Sequence, residues 1–135
     1  MSREIGKRAR RRTLLKLIDR IFDADPGIRF VALYQDQYML AGGMKEGRSS
    51  IDPEEEARDV DLQLAKIGEV IHSWQRWFGT LGAFAIKFDK LNLVFIPLKE
   101  GRFIVLSTEA HLNPFTVLEK LRWDMDYDQI ADAIP

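Results

Sequence analysis

Between Pro53 and Phe78 the residues Val60, Leu64, Ile67, Ile71, Trp74 and Phe78 fall at alternating steps of four and three. That spacing lays one apolar stripe along an amphipathic helix. At 1.5 Å per residue the helix would be about 40 Å long, enough to cross a whole small domain. Gly79 stands where a helix C-terminus favours glycine. A chain containing such a helix must give its stripe a broad apolar partner, so the rest of the sequence has to supply one.

The remaining apolar runs do so. Leu14, Leu15, Leu17, Ile18, Ile21 and Phe22 recur at helical spacing, and Asp25-Pro26-Gly27 supplies a stop and a turn. IRFVALY (28 to 34) and QYMLAGGM (37 to 44) are β-type runs around polar Gln35-Asp36, which predicts a hairpin. Three further runs, LGAFAIKFD (81 to 89), LNLVFIPL (91 to 98) and RFIVLST (102 to 108), form a meander with turns at Asp89-Lys90 and Lys99-Glu100-Gly101. Asn113 as N-cap and Pro114 at the first helical position open a last helix through Phe115, Leu118 and Leu121 to about Trp123.

The order is α-β-β-α-β-β-β-α. Phe30 and Val31, Leu93 and Val94, and Ile104 and Val105 make three of the strands apolar on both faces, and such strands are covered on both sides. The expected class is α+β: a five-stranded antiparallel sheet with the long helix on one face and the terminal helices on the other. Pro97 cannot donate to a ladder and belongs at a strand end or against an edge.

A chain of 135 residues, 46% hydrophobic, can bury one core unaided. The expected division is a basic segment 1–13 leading into helix one, a domain 14–123 and an acidic tail 124–135. Twenty basic residues nearly cancel twenty-one acidic ones, so no global charge draws the chain to nucleic acid or to an anionic membrane. With no cysteine there is no thiolate chemistry and no disulfide, which fits a reducing compartment; cytoplasm is the expected location. No run approaches the roughly twenty apolar residues of a membrane span.

Candidate sites are few. LAGGMKEGRSSIDPEEEARDV, Leu40 to Val60, looks at first like a phosphate loop, but it lacks the Gly-x4-Gly-Lys-Ser/Thr spacing. Glu54, Glu55 and Glu56 also occupy the first helical turn, where an anion would have to bind. Asp52, Pro53 and Glu55 make a capping-box-like start instead. Gly42 and Gly43 permit a bulge or a close backbone approach; the alternative is a ligand pocket lined by Gly42, Gly43 and Met44.

His72 and His111, the two histidines, have no ligand or nucleophile spacing around them. The tail DMDYDQIADAIP opens like a calcium loop but carries Gln129 and Pro135 where glycine and glutamate are needed. No catalytic residue, metal site or cofactor is expected. KRARRR, Lys7 to Arg12, lacks the interleaved aromatics of a nucleic-acid surface and reads as a solvated helix start. Trp74, Trp77, Phe78 and Trp123 read as core by residue type. Trp77 is offset from the stripe beside Arg76, a composition found in interface anchors.

With the element order in place, IRFVALYQDQYMLAGGM resembles the first hairpin of Roadblock or dynein-light-chain-like domains, relatives of the longin and profilin folds, and NLVFIPLKEGRFIVLST is similar to their final hairpin. The resemblance spans about Leu14 to Trp123 and extends to uncharacterised archaeal proteins of this class. It implies a non-enzymatic homodimeric scaffold that binds or regulates a small Ras-like GTPase. It implies a dimer surface over Val60–Phe78 and Leu81–Asp89, carried by Ile67, Ile71, Trp74, Trp77, Phe84 and Ile86. The basic start and the acidic tail have no counterpart in the family pattern. The second reading is a profilin-like ligand-binding sensor domain.

Overall fold

The structure is a computed structural model and describes residues 3–36, 38–45 and 54–124. Its elements are α1 (Arg3–Ala24), β1 (Ile28–Gln35), β2 (Tyr38–Met44), α2 (Glu54–His72), α3 (Gln75–Phe78), β3 (Phe84–Lys87), β4 (Leu91–Pro97), β5 (Arg102–Glu109) and α4 (Pro114–Asp124). All strand pairs are antiparallel, in the spatial order β2-β1-β5-β4-β3. The N-terminal hairpin and the C-terminal meander thus join where β1 meets β5, from Ile28 opposite Thr108 to Gln35 opposite Arg102.

Strand alternation sends side chains to two cores. Val31, Leu33, Val94, Ile96, Ile104 and Leu106 meet Leu14, Leu17, Ile18 and Ile21 of α1 and Val117, Leu118 and Leu121 of α4. Ala32, Tyr34, Phe95, Phe103 and Val105 point the other way and meet Leu64 of α2. The α+β class, the five-stranded sheet and the division of helices between its faces are as expected from the sequence.

Local chemistry explains the ends of the elements. The Phe115 amide donates to the Asn113 side chain at 2.9 Å, so Asn113 caps α4. The β4–β5 turn uses positive φ at Glu100 (60°) and Gly101 (74°), and the Leu98 amide closes it on the Arg102 carbonyl at 2.8 Å. Pro97 ends β4, as its missing N–H requires.

Two expectations need correction. The helix expected from Pro53 to Phe78 is broken at Ser73-Trp74: α2 has 19 residues and spans about 28 Å, and α3 is a separate turn of four. The Ser73 hydroxyl donates to the Val70 carbonyl at 2.6 Å, and the Trp74 amide reaches back only three residues, to Ile71 at 3.0 Å. This tightens the last turn and ends the helix, a known tendency of serine near a helix end.

The strand expected over 81–89 pairs only from Phe84 to Lys87, opposite Phe95 to Asn92. Continuing that register would set Gly82 against Pro97, which has no N–H to give, and the Leu81 amide is already bound by the Gln75 side chain at 2.6 Å. The first helix, in turn, reaches back through the basic run to Arg3. Of Lys7 to Arg12, only the side chain of Arg12 is described, and it is exposed. Asp52, Pro53, the Glu54 to Glu56 side chains, the Trp123 side chain and residues 125–135 lie outside the description, and with them the capping box and the tail.

Candidate interaction surface

Four rings cross the sheet beneath α2. Phe84 stacks on Phe95 (centroids 4.9 Å apart), Phe95 on Phe103 (5.1 Å) and Phe103 on Tyr34 (5.0 Å), one ring from each of β3, β4, β5 and β1. Successive strands lie about 4.8 Å apart, so rings at matched registers stack naturally. Helix α2 is seated on this array at three points. The Tyr34 hydroxyl donates to Asp61 at 2.5 Å, Leu64 is buried, and Gly68 is in such close contact with Phe95 that a Cβ there would lie 2.7 Å from Cζ.

This seating fixes the rotation of α2. Neighbouring helix residues are about 100° apart around the axis, so with Leu64 and Gly68 inward, Val60 and Ile67 are carried to the flank and Val70 to the outer side, with Trp74 just past the end of the helix. All four are exposed, Ile67 at 46% and Trp74 at 44%. The apolar stripe of the sequence is real, but the sheet covers only one side of it. The turn of α3 has no buried residue and extends the same apolar surface with Trp77 (63% exposed) and Phe78 (83%). Trp74, Trp77 and Phe78 are therefore not core, and the reading by residue type is corrected. The Arg76 guanidinium lies 4.0 Å from the Trp77 ring centroid, a cation–π contact at the surface.

Of the six residues expected at a dimer surface, Ile67, Trp74 and Trp77 are exposed and Ile71 is half-buried. Phe84 and Ile86 are half-buried against the second core, on the edge strand β3. Asp61, Tyr34 and Gly68, which set the tilt of this surface, were not singled out from the sequence. A polar Asp61 three residues before the first deeply buried leucine of the helix was the available signal.

Gly42, Gly43 and Met44 line an open groove of about 620 Å³ between β2 and α1, with Ile18, Asp19, Phe22, Asp23 and Lys45. Both glycines hold a positive φ, 146° and 156°, that other residues rarely adopt, and they differ only in the space around them. A Cβ at Gly42 would lie 2.4 Å from the Val31 carbonyl oxygen, whereas one at Gly43 would meet nothing within 4 Å.

Gln75 Nε2 lies 3.0 Å from His72 Nε2, and both side chains are at the surface. Among the described residues no cluster of three metal-ligating side chains occurs. Among the same residues no helix is long and apolar enough to cross a membrane.

No protein-family model matches the chain, and no curated protein matches it. Solved structures do. The gliding protein MglB from Thermus thermophilus superposes with a TM-score of 0.73 at 11% identity, over 93% of this chain and 91% of that one. An MglB in a tetrameric arrangement gives 0.72 at 11% identity, over 93% and 90%. A Roadblock/LC7 domain from Streptomyces avermitilis gives 0.62 at 13% identity, over 84% and 91%. At such identities the likeness is one of fold: the chain has a Roadblock-like fold over nearly its whole length.

Proposed function

We propose that this Roadblock-like domain is a non-enzymatic, homodimeric interaction module of the cytosol that acts as a scaffold or regulator for a small Ras-like GTPase. The observation that carries the reading is the uncovered flank of α2 and α3. Val60, Ile67, Val70, Trp74, Trp77 and Phe78 are all exposed along α2, the turn that ends it and α3. A contiguous apolar surface of this kind marks an association site, and aromatics beside arginine are the residues that anchor such sites.

In the proposed dimer the α2 flanks face one another and the β3 edges, which carry Phe84 and Ile86, approach alongside. The aromatic array beneath α2 holds that surface rigid, so it is presented without a cost in ordering. The tetrameric arrangement of one MglB supports self-association as a property of the fold. The GTPase partner follows from the Roadblock resemblance of the two hairpins.

Light scattering at micromolar concentration is the test. The expected mass is that of a dimer, falling to a monomer in Trp77→Glu; a strict monomer for both proteins would sink the reading. The second reading, a ligand-binding sensor, is favoured by the groove at Gly42, Gly43 and Met44. A thermal-shift screen with metabolites and nucleotides separates the two, since a specific ligand raises the melting temperature with dose.

A further inference from the structure

The sheet has a second edge, at β2, and the dimer reading does not use it. β2 is YMLAGGM, seven residues with no charge and no proline. Sheet edges are normally guarded by lysine, proline or extreme shortness because unpaired N–H and C=O groups template another strand. The opposite edge, β3, is short and ends in Lys87; β2 is guarded only by a bulge at Leu40 and by Lys45 at its end, and between them Ala41 to Met44 run in regular register with Leu33 to Phe30. Among the described residues no strand pairs with its outer side.

Beside this edge, on the α1 side of the sheet, runs the groove of about 620 Å³. Gly43, the cross-strand partner of Val31, leaves its own place on that face empty. Ile18 and Phe22 supply apolar lining, and Asp19 and Asp23 stand with them. Both carboxylates are exposed, and among the described residues neither is ion-paired. Other charges near the groove are Lys45, whose ammonium donates to the Pro26 carbonyl at 3.3 Å, and Lys16 and Arg20 on α1.

We propose that the β2 edge and this groove bind an extended peptide by strand addition, and that the peptide carries basic side chains at alternate positions between apolar ones. The spacing fits. Residues four apart on a helix are separated by about 6 Å along the axis, and residues two apart on a strand by about 6.6 Å. Consecutive basic side chains on one face of an added strand therefore match Asp19 and Asp23. Main-chain bonds to β2 supply affinity, and the groove selects the side chains. A second copy of the chain is a poor occupant. Antiparallel β2–β2 pairing about an axis perpendicular to the sheet sets both α1 helices on one side and brings like-charged Asp19 and Asp23 pairs towards each other.

The test uses the full chain and a fluorescein-labelled VRVRVRV peptide at about 0.15 M salt, near physiological ionic strength, read by anisotropy. Saturable binding is expected, at least tenfold tighter than that of VEVEVEV and weakened at least tenfold in Asp19→Asn/Asp23→Asn. Two VRVRVRV peptides N-methylated at alternate residues, offset by one position, are the decisive pair: one keeps its affinity and the other loses it, because only one set of peptide amides faces β2. Equal binding of both would mean charge adhesion and would overturn the proposal, as would equal binding of VEVEVEV. A change of mass in Tyr38→Pro would assign the edge to a second copy and overturn it too. Running the same titration on Trp77→Glu keeps this result separate from the fate of the dimer reading.

Discussion

Gly68 of α2 meets Phe95 of β4 at a distance that leaves no room for a side chain, since a Cβ on the glycine would lie 2.7 Å from the ring's Cζ. Phe95 cannot move aside, because it is stacked on Phe84 and on Phe103. Gly68→Val is expected to push α2 off the array at a cost of about 1–3 kcal/mol, the usual range for overpacking. Urea denaturation monitored by circular dichroism reads this as a lower midpoint with an unchanged slope. An unchanged midpoint would show that the helix is not seated at this point.

Tyr34→Phe removes the hydroxyl that ties the sheet to Asp61 while keeping the ring stacked on Phe103. Hydrogen bonds to charged groups contribute about 1.5–3 kcal/mol, and a loss of that size is the expected outcome in the same assay. Amide exchange should locate it in α2, with Leu64 and Ala65 exchanging faster than Val31 or Val105.

Much of the architecture was legible because strands alternate and turns need particular residues. Val31 against Ala32, Asn113-Pro114 and Glu100-Gly101 each carry their own local physics. What stayed hidden was the rotation of α2. The steps of four and three from Val60 to Phe78 define a stripe but not which half of it meets the sheet; that is decided by Gly68 against Phe95 and Asp61 against Tyr34, contacts between residues 27 apart in the chain. The break at Ser73 was hidden for the same reason, since the apolar spacing runs on undisturbed through Trp74 and Phe78.

Asp25 joins the α1–β1 turn to α4. Burial alone would raise its pKa, but the Lys120 ammonium at 2.7 Å, the Gly27 amide at 2.8 Å and the charge of Lys45 outweigh burial and hold it below the ordinary value of 3.8. A lowered folded-state pKa means that the unfolded chain takes up the proton first. The stabilisation is therefore complete above the ordinary value and lost as pH falls through the lowered one. Lys120→Met should flatten the fall of stability below about pH 4 relative to the parent protein. Denaturation midpoints from about pH 2 to 6 check this, and parallel curves would count against it.

Trp74 and Phe115 are both exposed aromatics, at 44% and 59%, but on opposite faces of the sheet. If the α2 flank is the association surface, Trp74→Glu should raise the dimer dissociation constant about thirtyfold, the effect of losing an anchor worth about 2 kcal/mol. Phe115→Glu should leave it unchanged. Sedimentation velocity over a concentration series measures both, and equal effects would remove the α2 flank from consideration.

Asn92 is the one fully buried amide side chain of β4, and its Nδ2 donates to Thr108 Oγ1 at 3.1 Å, to the Glu109 carbonyl at 3.2 Å and to the Leu112 carbonyl at 2.9 Å. It thereby pins the connection that brings α4 back over the sheet. The sequence hid it inside an apolar run, LNLVFIPL, where a lone asparagine looks like an exposed position. Asn92→Leu keeps the volume but takes the donor away from the buried Thr108 hydroxyl and the partly buried Leu112 carbonyl, while the Glu109 carbonyl keeps the Leu112 amide. A buried group left unsatisfied costs about 1–3 kcal/mol, so a loss of that size is expected, concentrated in the docking of α4. Hydrogen exchange should show the Val117, Leu118 and Leu121 amides losing protection while those of β1 keep theirs. Uniform loss across both would mean that Asn92 supports the sheet itself rather than the return of the helix.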